Sequence, residues 1–100
     1  LKQVDELSYV YQYIVVNYDV RCARLCKKAG LDDAMELLIH HWFEREHSEI
    51  QRYRELEINA EVYGFLAELY EKRGLSNEAL KAREESKKNH KEKMQMIGGL

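Results

Sequence analysis

The chain has 100 residues, of which 45% are hydrophobic and 34% are charged, and it carries a formal net charge of −2. This length fits one domain, and so small a charge excludes an overall attraction to nucleic acid or to anionic lipid. With no Pro and five Gly, the composition favours a helical protein over one built from strands and tight turns. We therefore expect an all-α protein.

The first predicted helix has apolar side chains at steps of three and four residues, the spacing of one helical face. This face comprises Leu7, Tyr11, Ile14, Tyr18, Cys22, Leu25 and Ala29. We expect it to point towards the core, and Gly30 to end the helix in a left-handed conformation.

Cys22 and Cys26 lie one turn apart. A second pair of zinc ligands is missing, so we expect reduced thiols and a cytoplasmic location.

The second predicted helix starts at about Asp32, which can cap it. Its inward residues are Met35, Leu38, Ile39, Trp42 and Phe43. The segment EREHSE that follows has no apolar residue, and the apolar pattern resumes at Ile50. We expect one solvated turn and a helix end between Arg52 and Asn59. Because no Gly or Pro marks this boundary, a continuous helix is the alternative.

The third predicted helix runs from about Ala60 to Arg73, and Gly74 caps it. It faces inward through Tyr63, Leu66, Ala67 and Tyr70. The fourth helix begins near Ser76 or Asn77 and ends at Gly98-Gly99. The predicted fold is therefore four antiparallel helices arranged as two stacked helical hairpins, about residues 5–55 and 57–96. They form a single domain over residues 1–97, with a flexible tail at 98–100. No apolar run reaches the roughly 20 residues that a membrane helix needs.

Residues 60–86 resemble a tetratricopeptide repeat, a helix-turn-helix unit of roughly 34 residues. The matching residues are Tyr63, Leu66, Ala67 and Tyr70 in the first helix, Gly74 in the turn, and Ala79 and Ser86 at small positions of the second helix. The departures are Ser76, Arg83 and Lys91, which weaken packing onto a following repeat and suit a last, capping unit. The first hairpin matches this family less well, so a more general α-solenoid segment is also considered.

The resemblance implies a groove, lined by the first helix of each hairpin, that binds a peptide or a partner helix. Carried over residue by residue, the groove positions are Asn17, Val20, Arg24, Lys27 and Lys28 in the first hairpin and Glu61, Gly64, Glu68, Glu71 and Lys72 in the second. We therefore expect a protein–protein interaction scaffold or adaptor within a larger protein or assembly, with no enzymatic activity and no cofactor. Self-association through the tyrosine-rich first helix is a further expectation, and neither membrane nor nucleic-acid partners are expected.

Two alternative functions remain open. His40, Glu44 and His47 stand at i, i+4 and i+7 of the predicted second helix, and the Glu-x-x-His spacing resembles ferritin-like, metal-binding four-helix bundles. The second such motif is absent, because Lys87 stands three residues before His90.

The other alternative is a nucleic-acid accessory domain that uses the basic tail from Lys81 to Lys93. Interleaved Glu residues and the lack of an aromatic stacker argue against it.

Overall fold

A computed structural model describes residues 18–45, 47 and 50–98 of the chain. Within these residues every regular element is an α-helix, which confirms the predicted fold class. Helix α1 covers residues 18–29, α2 Asp32–Glu44, α3 Arg52–Lys72 and α4 Ser76–Gly98. The chain divides into two compact units, Leu1–Ile50 and Gln51–Leu100, and each contains one helical hairpin.

The turns of the two hairpins have the same backbone geometry. Gly30 and Gly74 have φ angles of +73° and +74°, in the left-handed region that L side chains rarely adopt. The residue after each glycine donates its N–H to a carbonyl five residues earlier: Leu31 to Cys26 at 2.9 Å, and Leu75 to Tyr70 at 2.8 Å. These bonds satisfy the open carbonyls at the helix end and reverse the chain. The two glycine caps are therefore confirmed.

The first unit has a small apolar core between α1 and α2. Its buried side chains are Val20 and Ala23 from α1 and Met35, Ile39 and Trp42 from α2. Asp19 is also buried, and its Oδ2 lies 2.9 Å from Nε of Arg45, which follows α2. This contact is an ion pair by distance, although Oδ2 accepts no well-aligned hydrogen bond within the described residues. Because it joins the start of the described α1 to the end of α2, the two helices run antiparallel.

In the second unit, α3 and α4 pack closely along a line of small residues. Ser86 donates its hydroxyl hydrogen to the carbonyl of Ala60 at 2.6 Å. A Cβ added at Gly64 would lie 3.9 Å from the Ser86 hydroxyl oxygen. Nearer the α4 C-terminus, Lys93 pairs with Glu57 at 3.3 Å. Later residues of α4 thus contact earlier residues of α3, as in an antiparallel hairpin.

More residues of α3 are buried than the sequence predicts. Its buried residues are Leu56, Ile58, Val62, Leu66, Ala67 and Leu69, and those of α4 are Ala79 and Ala82. Leu66 and Ala67 are therefore confirmed as core residues, whereas Tyr63 and Tyr70 are half-buried. Partial burial of Tyr63, and secondarily the charge of Glu85, raise the pKa of its phenol above the ordinary 10.0.

The predicted boundary between the second and third helices is wrong. Helix α2 ends at Glu44, and Arg45 is extended at φ −80° and ψ 150°. Helix α3 begins at Arg52, well before the predicted start at Ala60. Leu56 and Ile58 are buried in this early part of α3, and no Gly or Pro marks the start of the helix. Asp32 is the first residue of α2 rather than its cap, and the N-cap position is occupied by Leu31 with no side-chain hydrogen bond.

Candidate protein interaction surface

The apolar face of α1 that was predicted to be buried lies on the surface. Tyr18 is 59% exposed and Leu25 is 65% exposed. Cys22 is half-buried and Ala29 is exposed. We call these four residues the α1 stripe. The prediction of an inward stripe is wrong for this part of the helix, while its earlier members, Leu7, Tyr11 and Ile14, lie outside the described residues.

Small side chains explain why the opposite face of α1 is the one that packs inward. Ala23 is 0% exposed and Val20 is 2% exposed, so the helix approaches its neighbours closely on this side. The ion pair between buried Asp19 and half-buried Arg45 lies on the same side. A larger side chain at Ala23 would push the helix away. The bulkier residues of α1 are therefore left outside.

The α1 stripe forms a continuous edge because its members follow the steps four, three and four. From Tyr18 to Ala29 the edge spans about three helical turns, or about 17 Å. A hydrogen bond between the side chains of Tyr18 and Cys22, together with the Cys22 charge, raises the pKa of the Tyr18 phenol above 10.0. Tyr combines a flat apolar ring with a polar hydroxyl, a combination that is favoured at protein interfaces.

The three residues of the proposed metal site do not share a helical face. His40 and Glu44 are exposed on α2, but His47 lies beyond the end of that helix. Its ring stacks on Trp42, with centroids 3.8 Å apart and planes inclined by 23°. No group of three His, Cys, Asp or Glu side chains in the described part of the chain could hold a metal ion. The predicted register was wrong because it required α2 to continue.

His47 instead completes the C-terminal end of α2. Its Nε2 lies 2.7 Å from the carbonyl oxygen of Trp42, so the Nε2–H donates to a carbonyl near the end of the helix. The other ring nitrogen, Nδ1, is buried and has no hydrogen-bond partner among the described residues. The ring also covers the indole of Trp42, whose side chain is fully buried. His47 is therefore a capping and packing residue.

The residues predicted to line a peptide groove have different surroundings. Lys28, Glu68 and Lys72 are exposed, Arg24 and Glu61 are half-buried, and Asn17 lies outside the described residues. Glu71 forms an ion pair with Arg83 of α4. Two further positions are not groove residues: Val20 is buried, and Gly64 faces Ser86. A groove shared by both hairpins stays a prediction.

An apolar cleft of about 440 Å³ lies between the start of α3 and the end of α4. It is lined by Gln51, Arg52, Tyr53, Met96 and Ile97. Its cation, Arg52, is held by Glu55 and by Glu92, the latter at 3.3 Å. Sites for small molecules usually add several convergent polar groups, and the Arg52 charge is already paired. The sequence did not predict this cleft, because its two sides are distant in the chain and show no shared motif.

The basic tail of α4 is partly used for packing against α3. Lys93 pairs with Glu57, and Arg83 pairs with Glu71. The remaining lysines of the tail, Lys81, Lys87, Lys88 and Lys91, are exposed. They lie on the outer side of a helix that carries no Phe, Trp or Tyr.

Comparison with known proteins gives no match: no family model, no curated protein and no solved structure is significantly similar to this chain. In the part of the chain that the structure describes, no helix is both long and apolar enough to cross a membrane. Among the surfaces described above, the α1 stripe is the one with a regular apolar pattern on a helix.

Proposed function

We propose that this protein is a protein–protein interaction module, a helical-hairpin scaffold that binds a partner through the α1 stripe. The observation that carries the proposal is the exposure of Tyr18 and Leu25 at helical spacing on one edge. Single apolar side chains on a surface are ordinary, whereas a contiguous apolar strip is typical of an interaction site. A partner helix that lays its own apolar face on this edge would bury both side chains.

The hairpin offers the rigid support that such a surface needs. The left-handed turn at Gly30 fixes the end of α1, and the ion pair of Asp19 with Arg45 ties its other described end to the region after α2. A surface held in this way loses little conformational entropy on binding. Burying the exposed parts of Tyr18 and Leu25 would contribute about 1 to 2 kcal/mol each.

We include in this scaffold a tetratricopeptide-like unit formed by residues 60–86. In its support, two small residues of that resemblance, Ala67 and Ala79, are buried, and a third, Ser86, donates a hydrogen bond to the carbonyl of Ala60 across the hairpin. The groove inferred from the resemblance would then be a second binding surface of the scaffold. Neither surface needs a cofactor or a catalytic group.

Site-specific photo-crosslinking in the cells that make the protein tests this function. The residue at Leu25 is replaced by p-benzoylphenylalanine, and a second version carries the same replacement at Lys81, an exposed position on α4. We expect discrete cross-linked proteins from position 25, which Tyr18→Glu abolishes, and few from position 81. Cross-linking at position 25 that does not exceed the control would refute a binding role for the stripe.

A further inference from the structure

The charges around the α1 stripe indicate the chemistry of its partner. Resting on the proposed function, we propose that the segment bound there is an amphipathic helix whose polar flank is acidic. The proposal follows from the charge of α1, from the edge of the stripe on which that charge lies, and from the length and spacing of the apolar residues.

The described part of α1 is strongly basic although the whole chain is slightly acidic. It carries four basic side chains, Arg21, Arg24, Lys27 and Lys28. In the same residues the single carboxylate is Asp19, which is 3% exposed and 2.9 Å from Arg45. The negative charge is thus removed from solvent and matched by a cation from outside α1. The described part of α1 therefore contains more cationic than anionic side chains, and Arg21 and Lys28 are exposed.

Two of these cations border the apolar strip directly. Arg21 lies four residues before Leu25 and Lys28 three residues after it, so both lie along one edge of the stripe. Both are exposed. Next to the other edge of the stripe lies the buried face of the helix, which contains Ala23. The stripe therefore has a basic margin on one side and the body of the hairpin on the other.

This asymmetry specifies where the partner's charges must lie. A helix packed along the stripe would place one of its flanks beside Arg21 and Lys28, which are seven residues, or about 10 Å, apart. Glu or Asp at the matching i and i+7 positions of the partner would meet both cations. Three turns of contact correspond to a partner segment of about 12 residues.

A second copy of the chain fits this margin poorly. In an antiparallel α1-to-α1 pair, the basic edges would face each other, and like charges across an interface are unfavourable. In a parallel pair, the described part of α1 offers no exposed carboxylate to the margin, because Asp19 is buried. These charges therefore disfavour self-association through the stripe. A second copy is still the competing occupant, so the experiment also measures the oligomeric state.

Three synthetic peptides of about 15 residues test the partner chemistry. One has Leu at stripe-like spacing with Glu at its polar positions, the second has the same Leu residues with Lys, and the third has the Glu composition with the Leu order scrambled. Binding to the purified full chain is measured by fluorescence anisotropy from about 50 to about 500 mM NaCl, since screening weakens charge contacts. Light scattering gives the molecular mass of each sample.

Two charge-reversed proteins are compared with the wild type. The test variant is Arg21→Glu with Lys28→Glu, and the matched control is Lys81→Glu with Lys88→Glu, which makes the same change in net charge on α4. Leu25→Asp removes the apolar contact. Because all five positions are exposed, the variants are expected to fold, and circular dichroism checks their helix content.

We expect the Glu peptide to bind at least about 10-fold more tightly than the Lys peptide at low salt, with the difference shrinking as salt rises. The test variant should reverse this preference, the control should keep it, and Leu25→Asp should abolish binding of both. The scrambled peptide should not bind.

Several results overturn the acidic partner. Equal affinity for the Glu and Lys peptides would leave a charge-independent helix site, and the proposed function would survive. If no peptide binds but cross-linking at Leu25 succeeds, the acidic partner helix is likewise overturned and the proposed function survives. A light-scattering mass of about twice 11.9 kDa that Leu25→Asp returns to the monomer value would make a second copy the occupant. Failure of the cross-linking itself would instead remove the function on which this proposal rests.

Discussion

Replacing Gly64 by Ala is expected to stabilise the second hairpin. Gly64 lies inside α3 with no positive φ, so Ala can adopt its backbone conformation. Ala is about 0.8 to 1.0 kcal/mol more favourable than Gly in a helix interior. The added Cβ would meet the Ser86 hydroxyl oxygen at 3.9 Å, an ordinary van der Waals contact that opposes none of this gain. We therefore expect a stabilisation of about 1 kcal/mol.

Thermal unfolding followed by circular dichroism measures the effect, and a gain of this size raises Tm by about 4 to 8 °C in a domain of this length. The control is Gly74→Ala, at which φ is +74° and a side chain is strained. We expect it to lower the stability by about 1 kcal/mol. If Gly64→Ala lowered Tm or left it unchanged, the helices would have to be closer at this point than the structure shows.

Three further substitutions test other contacts. Arg45→Met removes the cation beside buried Asp19 and should lower the free energy of unfolding in urea by about 1 to 3 kcal/mol, of which Asp19→Asn should recover a part. The pKa of Tyr63 is raised by burial, so the folded state holds its proton above pH 10.0 and stability falls as the pH rises beyond that value. Tyr63→Phe should reduce this fall in a series of Tm measurements, and an identical slope would contradict it. His47→Ala uncovers the indole of Trp42 and should shift its fluorescence emission to longer wavelength, whereas an unchanged spectrum would argue against the stacked rings.

The helical class and the hairpin turns could be predicted because their signals are local. Gly30 and Gly74 each follow a basic last turn, and a helix that reverses direction needs a left-handed residue at that point. The buried residues of α2, Met35, Ile39 and Trp42, could also be predicted from helical spacing, since their face carries the larger apolar side chains.

The exposed face of α1 could not be predicted in the same way. Apolar side chains occur on both sides of this helix, with Val20 and Ala23 on one side and Tyr18 and Leu25 on the other. Helical spacing alone predicts that the side with more apolar surface is buried. The structure buries the side with smaller residues, because close approach and the ion pair of Asp19 depend on tertiary contacts that the spacing does not report.

The end of α2 was predicted wrongly for a related reason, and the alternative metal site at His40, Glu44 and His47 depended on that wrong prediction. Continuation past Glu44 would put His47 on the same face as His40, and no helix-breaking residue contradicts this. The chain instead turns at Arg45 so that the His47 ring can cover Trp42. Such a competition between helix propagation and side-chain stacking is decided by packing, not by local propensity.

The two cysteines of the chain, Cys22 and Cys26, both lie on α1 and both are half-buried free thiols. A thiol-specific reagent that reacts with this 100-residue chain therefore reacts on the helix that carries the stripe, with no substitution needed. Alkylation kinetics followed by mass spectrometry would report whether that helix is covered, from a natural extract as readily as from a purified sample. The chain thus carries its own footprinting probe, and an occupied surface would be recognised by slower alkylation before the occupant has been identified.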